Sequence, residues 1–191
     1  MEWRYGSALM TAEQRAPAAD DLRIDINRLM NRLADLAAIG AIEGTEGCGR
    51  LALTDDDRAG RDLVVGWMRD LGMTVSIDGI GNAIAVMPGE TNSPPVMCGS
   101  HIDTVRSGGR YDGNLGVLAG LEVVETLLSA GVVPNRPLAV GFFTNEEGSR
   151  FAPDMAATSL RSAAFSRRSP PRSSVFPTIN RSSSLSKGFA R

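Results

Sequence analysis

The sequence predicts an α/β fold in which a mixed sheet is flanked by helices. An apolar strand, a loop, a helix and a second apolar strand follow one another over residues 95–143, which is the order of a βαβ unit. Two earlier segments, 22–38 and 54–71, carry apolar residues at helical spacing. Two short strands surround a glycine turn at 79–81. Because strands and helices alternate, we expect helices on both sides of the sheet.

The first two helices are indicated by their apolar spacing and their end signals. Residues 22–38 carry six apolar residues at helical spacing, and a linker rich in glycine and glutamate follows. Thr54 is a typical N-cap, and Asp57, three residues later, completes a capping box. Gly72 is a typical residue for the end of a helix. The second helix is therefore expected between Thr54 and Gly72.

The remaining elements carry the βαβ pattern. Short strands are expected at 73–77 and 82–87, a third at 95–100, a helix at 114–130 and a last strand at 137–143. The last strand is almost wholly apolar, as strands buried on both faces are. Open α/β sheets place their sites beyond the carboxyl ends of the strands. The residues that follow the third and last strands are therefore candidates for a site.

Distinctive side chains occupy those positions. His101, the only histidine of the chain, follows the third strand, and Asp112 lies in a glycine-flanked loop directly before the helix. Glu146 and Glu147 follow the last strand, where two adjacent carboxylates repel each other unless solvent or a cation separates them. Imidazole and carboxylate ligands suit zinc or manganese. Asp103 is placed to accept the second ring N–H of His101 and so fix its tautomer.

Each of these residues also has an ordinary structural interpretation. A single histidine is usually structural or merely exposed, and Asp103 and Asp112 are of a type common in turns and at helix starts. Two adjacent glutamates are usually solvated. The metal-site interpretation is favoured because all of these residues follow apolar strands or precede a helix in one βαβ unit.

Three segments together resemble a known family. They are GSHIDTVRSGGRYDGNLGVLAGLEVV at 99–124, FFTNEEGSRF at 142–151 and RLALTDDDRAGRDLVVGWMRDLGMTVSIDGIGN at 50–82. This combination resembles the hydantoinase/carbamoylase family of zinc-dependent amidases, which includes N-carbamoyl-L-amino-acid hydrolases, beta-ureidopropionases and allantoate amidohydrolases. The family belongs to the di-zinc aminoacylase and carboxypeptidase-like superfamily. The similarity spans roughly residues 22 to 155, which would be the N-terminal part of a di-zinc exopeptidase-like catalytic domain.

The resemblance implies a role for each candidate residue. His101 would bind one metal, Asp112 would bridge two metals and Glu147 would bind the second. Glu146 would be the general base that activates water, and Asp103 would orient His101. The implied cofactor is zinc, two ions in an intact site, with manganese as an alternative. The implied reaction is hydrolysis of linear C–N bonds, not peptide bonds, in small N-carbamoyl-L-amino acids or ureides such as allantoate.

The chain also departs from the family pattern. Family members are about twice as long, supply two further histidine ligands and carry a lid and dimerisation domain that makes them homodimers. None of these features is present, so we expect a truncated, inactive form. The alternatives are a di-zinc exopeptidase or aminoacylase and, in another class, a non-catalytic binding protein with a basic tail.

The two ends of the chain differ from the part between them. All 22 acidic residues lie at or before Asp154, whereas the residues after it carry six arginines, one lysine and ten serines. Residues 1–21 are expected to be a flexible N-terminus and 156–191 a basic tail. Such a tail suits an arm for nucleic acid or another anionic surface, a disordered terminus or an out-of-frame translation product. We favour the last interpretation and expect no nucleic-acid partner.

The reading-frame hypothesis makes a direct prediction. Translation of the gene beyond codon 155 in its other two frames should restore sequence that resembles the family. Sequencing the gene beyond codon 155 checks this prediction. Two alternative frames without any family-like sequence would contradict the hypothesis.

Composition limits the expected location. Cys48 and Cys98 have no metal-type spacing and imply no disulfide framework. Residues 1–20 contain no apolar core of an export signal, and no run of 18 apolar residues would span a membrane. We expect a cytoplasmic protein without a membrane partner.

Overall fold

A computed structural model of the chain describes residues 21–152. Nearly all of the expected flexible N-terminus (1–21) and the whole basic tail (156–191) lie outside the described residues. The described part contains three helices and four strands. In chain order they are α1 (Ile26–Ala38), α2 (Asp55–Asp70), β1 (Thr74–Ile77), β2 (Ala83–Met87), β3 (Val96–His101), α3 (Asn114–Ser129) and β4 (Leu138–Phe143).

The four strands form one mixed sheet in the order β1-β2-β4-β3. Strand β2 pairs antiparallel with β1 and β4, whereas β3 and β4 are parallel. Parallel neighbours need a crossover connection, and α3 supplies it. The predicted α/β fold, a mixed sheet with flanking helices, is confirmed, and every predicted strand lies within a residue or two of its expected bounds.

All three helices pack into one apolar core. The strand residues of that core occupy alternate positions, so they share one face of the sheet. The expectation of helices on both sides is therefore not met within residues 21–152, because α1 and α2 pack beside α3 on the face that the crossover helix already covers. The core residues include Leu33, Leu36, Val64, Met68, Leu118 and Leu121 from the helices and Ala83, Ala85, Met87, Val140 and Phe142 from the strands.

Side-chain caps fix where the first two helices begin. The hydroxyl of Thr54 accepts the N–H of Asp57 at 3.2 Å, and the Asp57 carboxylate accepts the N–H of Leu53 at 2.8 Å. The predicted N-cap at Thr54 is confirmed, whereas the reciprocal bond of the capping box goes to the N–H of Leu53 rather than to that of Thr54. Helix α1 begins four residues later than residue 22, because the Asp25 carboxylate accepts the N–H groups of Asn27 and Arg28 and so caps the helix there.

Strand β3 has one free edge within the described part of the chain. Its only strand partner there is β4, and Val96 and Met97 are 50% and 42% exposed. A free apolar edge of this kind offers unpaired backbone groups to any further strand.

A buried carboxylate connects α1 to α3. Glu122, on α3, has no exposed side-chain surface and accepts hydrogen bonds from the Arg28 guanidinium at 2.6 and 2.8 Å. It also accepts the N–H of Asp25 at 2.8 Å. Burial alone raises the pKa of Glu122, but these hydrogen bonds and the charge of Arg28 outweigh it and lower the pKa below the ordinary 4.5.

This ion pair predicts a pH-dependent stability. A carboxylate with a lowered pKa stabilises the folded state fully above its ordinary pKa, and the contribution is lost as the pH falls through the lowered value. Glu122→Gln should reduce the free energy of unfolding near pH 7 by about 3 kcal/mol, since it breaks a buried pair. The deficit should shrink only at acidic pH well below 4.5, because the lowered pKa of the wild-type carboxylate delays its protonation. Urea unfolding near pH 7 and at such an acidic pH measures it.

Glu125→Gln is the matched control for this prediction. Glu125 lies three residues further along α3, pairs with Arg28 and Arg32, and has a side chain that is 23% exposed. Its more exposed pairs should contribute less than about 1 kcal/mol. A Glu122→Gln deficit that stays constant across the pH range would show that charge is not its cause.

Candidate metal centre

The candidate site lies at the carboxyl ends of the two parallel strands. His101 is the last residue of β3 and is paired in register with Phe143, the last residue of β4. The turn that carries Glu146 and Glu147 follows β4 directly, with Asn145 at a positive φ of 56°. Parallel pairing therefore brings residues more than 40 positions apart to one edge of the sheet, as expected for an open α/β sheet.

All three predicted metal ligands meet at this edge. His101, Asp112 and Glu147 each offer one donor atom, and these atoms all lie within 4.8 Å of one another. His101 is buried, Glu147 is partly buried and Asp112 is exposed. One imidazole and two carboxylates within such a distance form a donor set that fits a divalent transition metal.

The imidazole of His101 is held in one orientation. Its Nδ1 lies 2.9 Å from the backbone carbonyl oxygen of Asp103. A carbonyl oxygen can only accept, so Nδ1 carries the proton and the lone pair of Nε2 faces the cluster. Nε2 lies 3.4 Å from a carboxylate oxygen of Glu146. The histidine thus has the tautomer in which Nε2 can bind a metal.

Asp103 orients His101 through a different atom from the one predicted. The sequence suggested its carboxylate as the partner of the ring N–H, but that carboxylate lies 3.9 Å from Nδ1. It turns instead towards the backbone N–H of Glu146, at 3.4 Å. Burial raises the pKa of Asp103, and the neighbouring His101 and backbone N–H groups oppose that rise. Asp103 therefore connects the end of β3 with the turn that carries the glutamates.

Several negatively charged groups surround Glu147. Burial raises the pKa of Glu147, and the carboxylates of Asp112, Asp103 and Glu146 raise it further, against a lowering effect of His101. Like charges held this close favour a bound cation, because it offsets both the repulsion and the lost hydration. The electrostatics of the cluster thus agree with its donor set.

Gly113 brings the Asp112 loop against the histidine. It has a φ of +64°, and a Cβ atom at this position would lie 2.5 Å from the atoms of the His101 ring. Both the backbone conformation and the close approach exclude a side chain. This contact places Asp112 beside the imidazole.

Several supporting residues were not identified from the sequence. The Asn82 side chain accepts the N–H of Thr144 at 2.9 Å, and Arg61 donates to the Thr144 hydroxyl at 3.2 Å. Together they hold the end of β4. The only sequence signal was Asn82 next to a glycine turn, because a buried arginine cannot be told from a solvated one in a single sequence.

Comparison with known proteins decides the family. The sequence profile of peptidase family M28 matches residues 82–185, which include every candidate ligand. The chain belongs to this family. The resemblance to the hydantoinase/carbamoylase amidases is confirmed as well, by relatives and solved structures of that group.

Three relatives illustrate the similarity. An N-carbamoyl-L-amino-acid amidohydrolase of Pseudomonas sp. (strain NS671) is 47% identical, over 67% of this chain and 31% of the relative. A ureidoglycolate hydrolase of Arabidopsis thaliana is 36% identical, over 70% of this chain and 28% of the relative. The crystal structure of a hydantoinase/carbamoylase family amidase from Burkholderia ambifaria is 54% identical with a TM-score of 0.72, over 75% of this chain and 35% of that one.

The chain spans about a third of the length of the curated relatives that it matches. The expectation that family members are about twice as long as this chain is confirmed, since 147 matched residues make up 35% of one relative, which therefore has about 420 residues against 191 here. Across residues 21–152, the structure contains no helix that is long and apolar enough to cross a membrane.

The contact between Gly113 and His101 predicts a selective loss of metal binding. Gly113→Ala should weaken Zn²⁺ binding by about tenfold or more, because the new methyl group displaces the imidazole or the Asp112 loop. The positive φ should cost about 1–2 kcal/mol of stability. Isothermal titration with Zn²⁺ and thermal unfolding measure the two effects.

Gly109→Ala is the matched control in the same loop. A Cβ atom there meets nothing within 4 Å, so this variant should bind Zn²⁺ like the wild type. Equal affinities in the two variants would contradict the idea that close packing at Gly113 places the ligands.

Proposed function

We propose that this chain forms part of the metal centre of an amidohydrolase that cleaves linear C–N bonds other than peptide bonds. The substrates would be N-carbamoyl-L-amino acids or related ureides such as allantoate. The observation that carries the proposal is the meeting of His101, Asp112 and Glu147 within 4.8 Å, with Glu146 beside them. Support for the substrate class comes from relatives named as N-carbamoyl-L-amino-acid amidohydrolases and a ureidoglycolate hydrolase.

His101, Asp112 and Glu147 would hold the metal. Zinc is the cation we propose, two ions in the complete site, with manganese as the alternative. Bound cations would supply Lewis-acid polarisation of the scissile carbonyl and would acidify the attacking water. The backbone carbonyl of Asp103 keeps the proton on Nδ1 of His101 and so leaves Nε2 as the donor atom.

Glu146 would be the general base. Its carboxylate lies 3.4 Å from Nε2 of His101, at the edge of the donor cluster, so it is close to where a water would attack. It would accept a proton from that water as the new C–O bond forms, and return a proton to the amine nitrogen as the C–N bond breaks. Hydrolysis of an N-carbamoyl-L-amino acid would then yield the amino acid, carbon dioxide and ammonia.

The donor set limits what the chain can do alone. It contains one imidazole, and three donor atoms do not complete two tetrahedral sites. The 191-residue chain by itself should bind metal weakly and turn over no substrate.

A chimera tests these roles in a complete site. Residues 22–152 replace the matching segment of the Pseudomonas N-carbamoyl-L-amino-acid amidohydrolase, and kcat is measured on N-carbamoyl-L-amino acids and on dipeptides. We expect activity on the carbamoyl substrates. Glu146→Gln should lower kcat by about 10²–10⁴-fold with the metal retained, as loss of a general base does.

The neighbouring Glu147→Gln is the matched control for Glu146→Gln. It should reduce the metal content itself, as should His101→Ala. A chimera that keeps full activity with Glu146→Gln would refute the general-base role. Activity on dipeptides alone would instead favour an exopeptidase, the alternative that the match to peptidase family M28 supports.

A further inference from the structure

Arg50 is the largest side chain that the described part of the chain buries completely. A buried cation is costly unless it is paired or hydrogen-bonded. Within residues 21–152 it forms no ion pair, and its guanidinium instead donates to four uncharged oxygens. Burial lowers the pKa of Arg50. A buried cation with four specific hydrogen bonds is a candidate for a role beyond packing of the core.

The four acceptors lie in three separate parts of the chain. Nη1 donates to the carbonyl oxygens of Leu36 and Ile39, both at 2.9 Å, at the end of α1. Nε donates to the carbonyl oxygen of Ile102 at 2.8 Å, and Nη2 donates to the side-chain oxygen of Asn114 at 3.0 Å. One planar guanidinium thus joins the end of α1 to both ends of the connection between β3 and α3, residues 102–113.

Two candidate ligands lie at the ends of this connection. Ile102 directly follows His101, and Asn114 is two residues beyond Asp112. The Asn114 amide also donates to the carbonyl oxygen of Arg110 at 3.0 Å, which closes the Asp112 loop on itself. The guanidinium therefore sets the separation between the two ends of the β3–α3 connection, and with it the separation between His101 and Asp112.

Backbone contacts hold Arg50 itself in place against the same loop. Its N–H donates to the Thr104 hydroxyl at 2.7 Å, and its carbonyl oxygen accepts the N–H of Thr104 at 2.9 Å. Two residues earlier, Cys48 exchanges two backbone hydrogen bonds of 3.0 Å with Gly108. The segment from Cys48 to Arg50 thus lies along the chain between His101 and Asp112.

We propose that Arg50 is a positioning residue of the metal centre, which fixes the relative placement of His101 and Asp112 without touching metal or substrate. This inference rests on the proposed function, because it assumes that the two residues are ligands. Neither lysine nor methionine can replace the arginine fully. A lysine ammonium is a point charge without the planar fork of donors. Methionine removes the guanidinium donors from all four oxygens, of which that of Leu36 keeps the N–H of Ile39.

The single histidine of the chain makes the test direct. In the full 191-residue chain labelled with ¹⁵N, His101 gives the only imidazole signals, and a protonated ring nitrogen has a different ¹⁵N shift from an unprotonated one. Spectra are taken at one pH at which the imidazole is neutral. The wild type should show the Nδ1–H tautomer, because Nδ1 donates to Asp103. A second readout is Zn²⁺ affinity by titration calorimetry.

Variants of Arg50 should change both readouts. Arg50→Met should give a mixture of the two His101 tautomers and should bind Zn²⁺ more weakly by about tenfold or more. Arg50→Lys should lie between Arg50→Met and the wild type in both readouts. Asn114→Ala removes the acceptor of Nη2 together with the bond from Asn114 to Arg110, and it leaves the bond of Arg50 to Ile102 intact. It should weaken Zn²⁺ binding yet keep the wild-type tautomer, and it tests the proposal even if Arg50→Met does not fold.

Arg32→Met is the matched control. Arg32 is another largely buried arginine, on α1, and its removal leaves Glu125 paired with Arg28. It should lower thermal stability while leaving the tautomer and the Zn²⁺ affinity unchanged.

The outcomes separate this proposal from the proposed function. Folded Arg50→Lys and Asn114→Ala chains with wild-type tautomer and wild-type affinity would overturn the positioning role. The same holds if Arg32→Met shifts the imidazole signals as much as Arg50→Met does. Failure of the wild type to bind Zn²⁺ at all would count against the proposed function, and the imidazole signals would still decide the role of Arg50.

Discussion

The parallel pairing of β3 with β4 is the constraint on which the site depends. It places the last residues of the two strands side by side, so that His101 and the turn carrying Glu146 and Glu147 leave the sheet at the same edge. The crossover helix α3 makes this pairing possible and begins directly after the loop of Asp112. One topological unit therefore delivers all the candidate ligands, and the rest of the described fold supports it.

Two charged groups buried inside the fold, Glu122 and Arg50, have polar neighbours in place of solvent. Glu122 faces the guanidinium of Arg28, whereas Arg50 faces four uncharged oxygens. The first arrangement fastens two helices, and its energy depends on charge. The arrangement around Arg50 connects the end of α1 with the β3–α3 connection. Its stabilising energy depends on hydrogen-bond geometry, since carbonyl oxygens attract a cation less than a carboxylate does. Within residues 21–152, the ligand carboxylates of Asp112 and Glu147 form no ion pair with an arginine, and a divalent cation would offset their charge.

Much of the fold was predictable because local signals agreed with the tertiary result. The capping box at Thr54, the glycine turn at 79–81 and the apolar run of β4 each correspond to an observed element. The start of α1 was misplaced, because apolar spacing continued past the Asp25 cap. Within residues 21–152, the expectation of helices on both faces was not met either, since the face of a sheet that a helix covers depends on long-range contacts that no local pattern records.

The sequence by itself determined the family, the strand–loop–helix–strand unit and the identity of the five candidate residues, because residue types and spacing survive without coordinates. The tertiary structure alone decided how they meet. It showed the carbonyl rather than the carboxylate of Asp103 at His101, the close approach of Gly113 to the imidazole, and the buried Arg50 between the two ends of the β3–α3 connection. These contacts join residues distant in sequence or involve backbone atoms that every residue possesses. Neither kind of contact can be recognised from the amino-acid sequence.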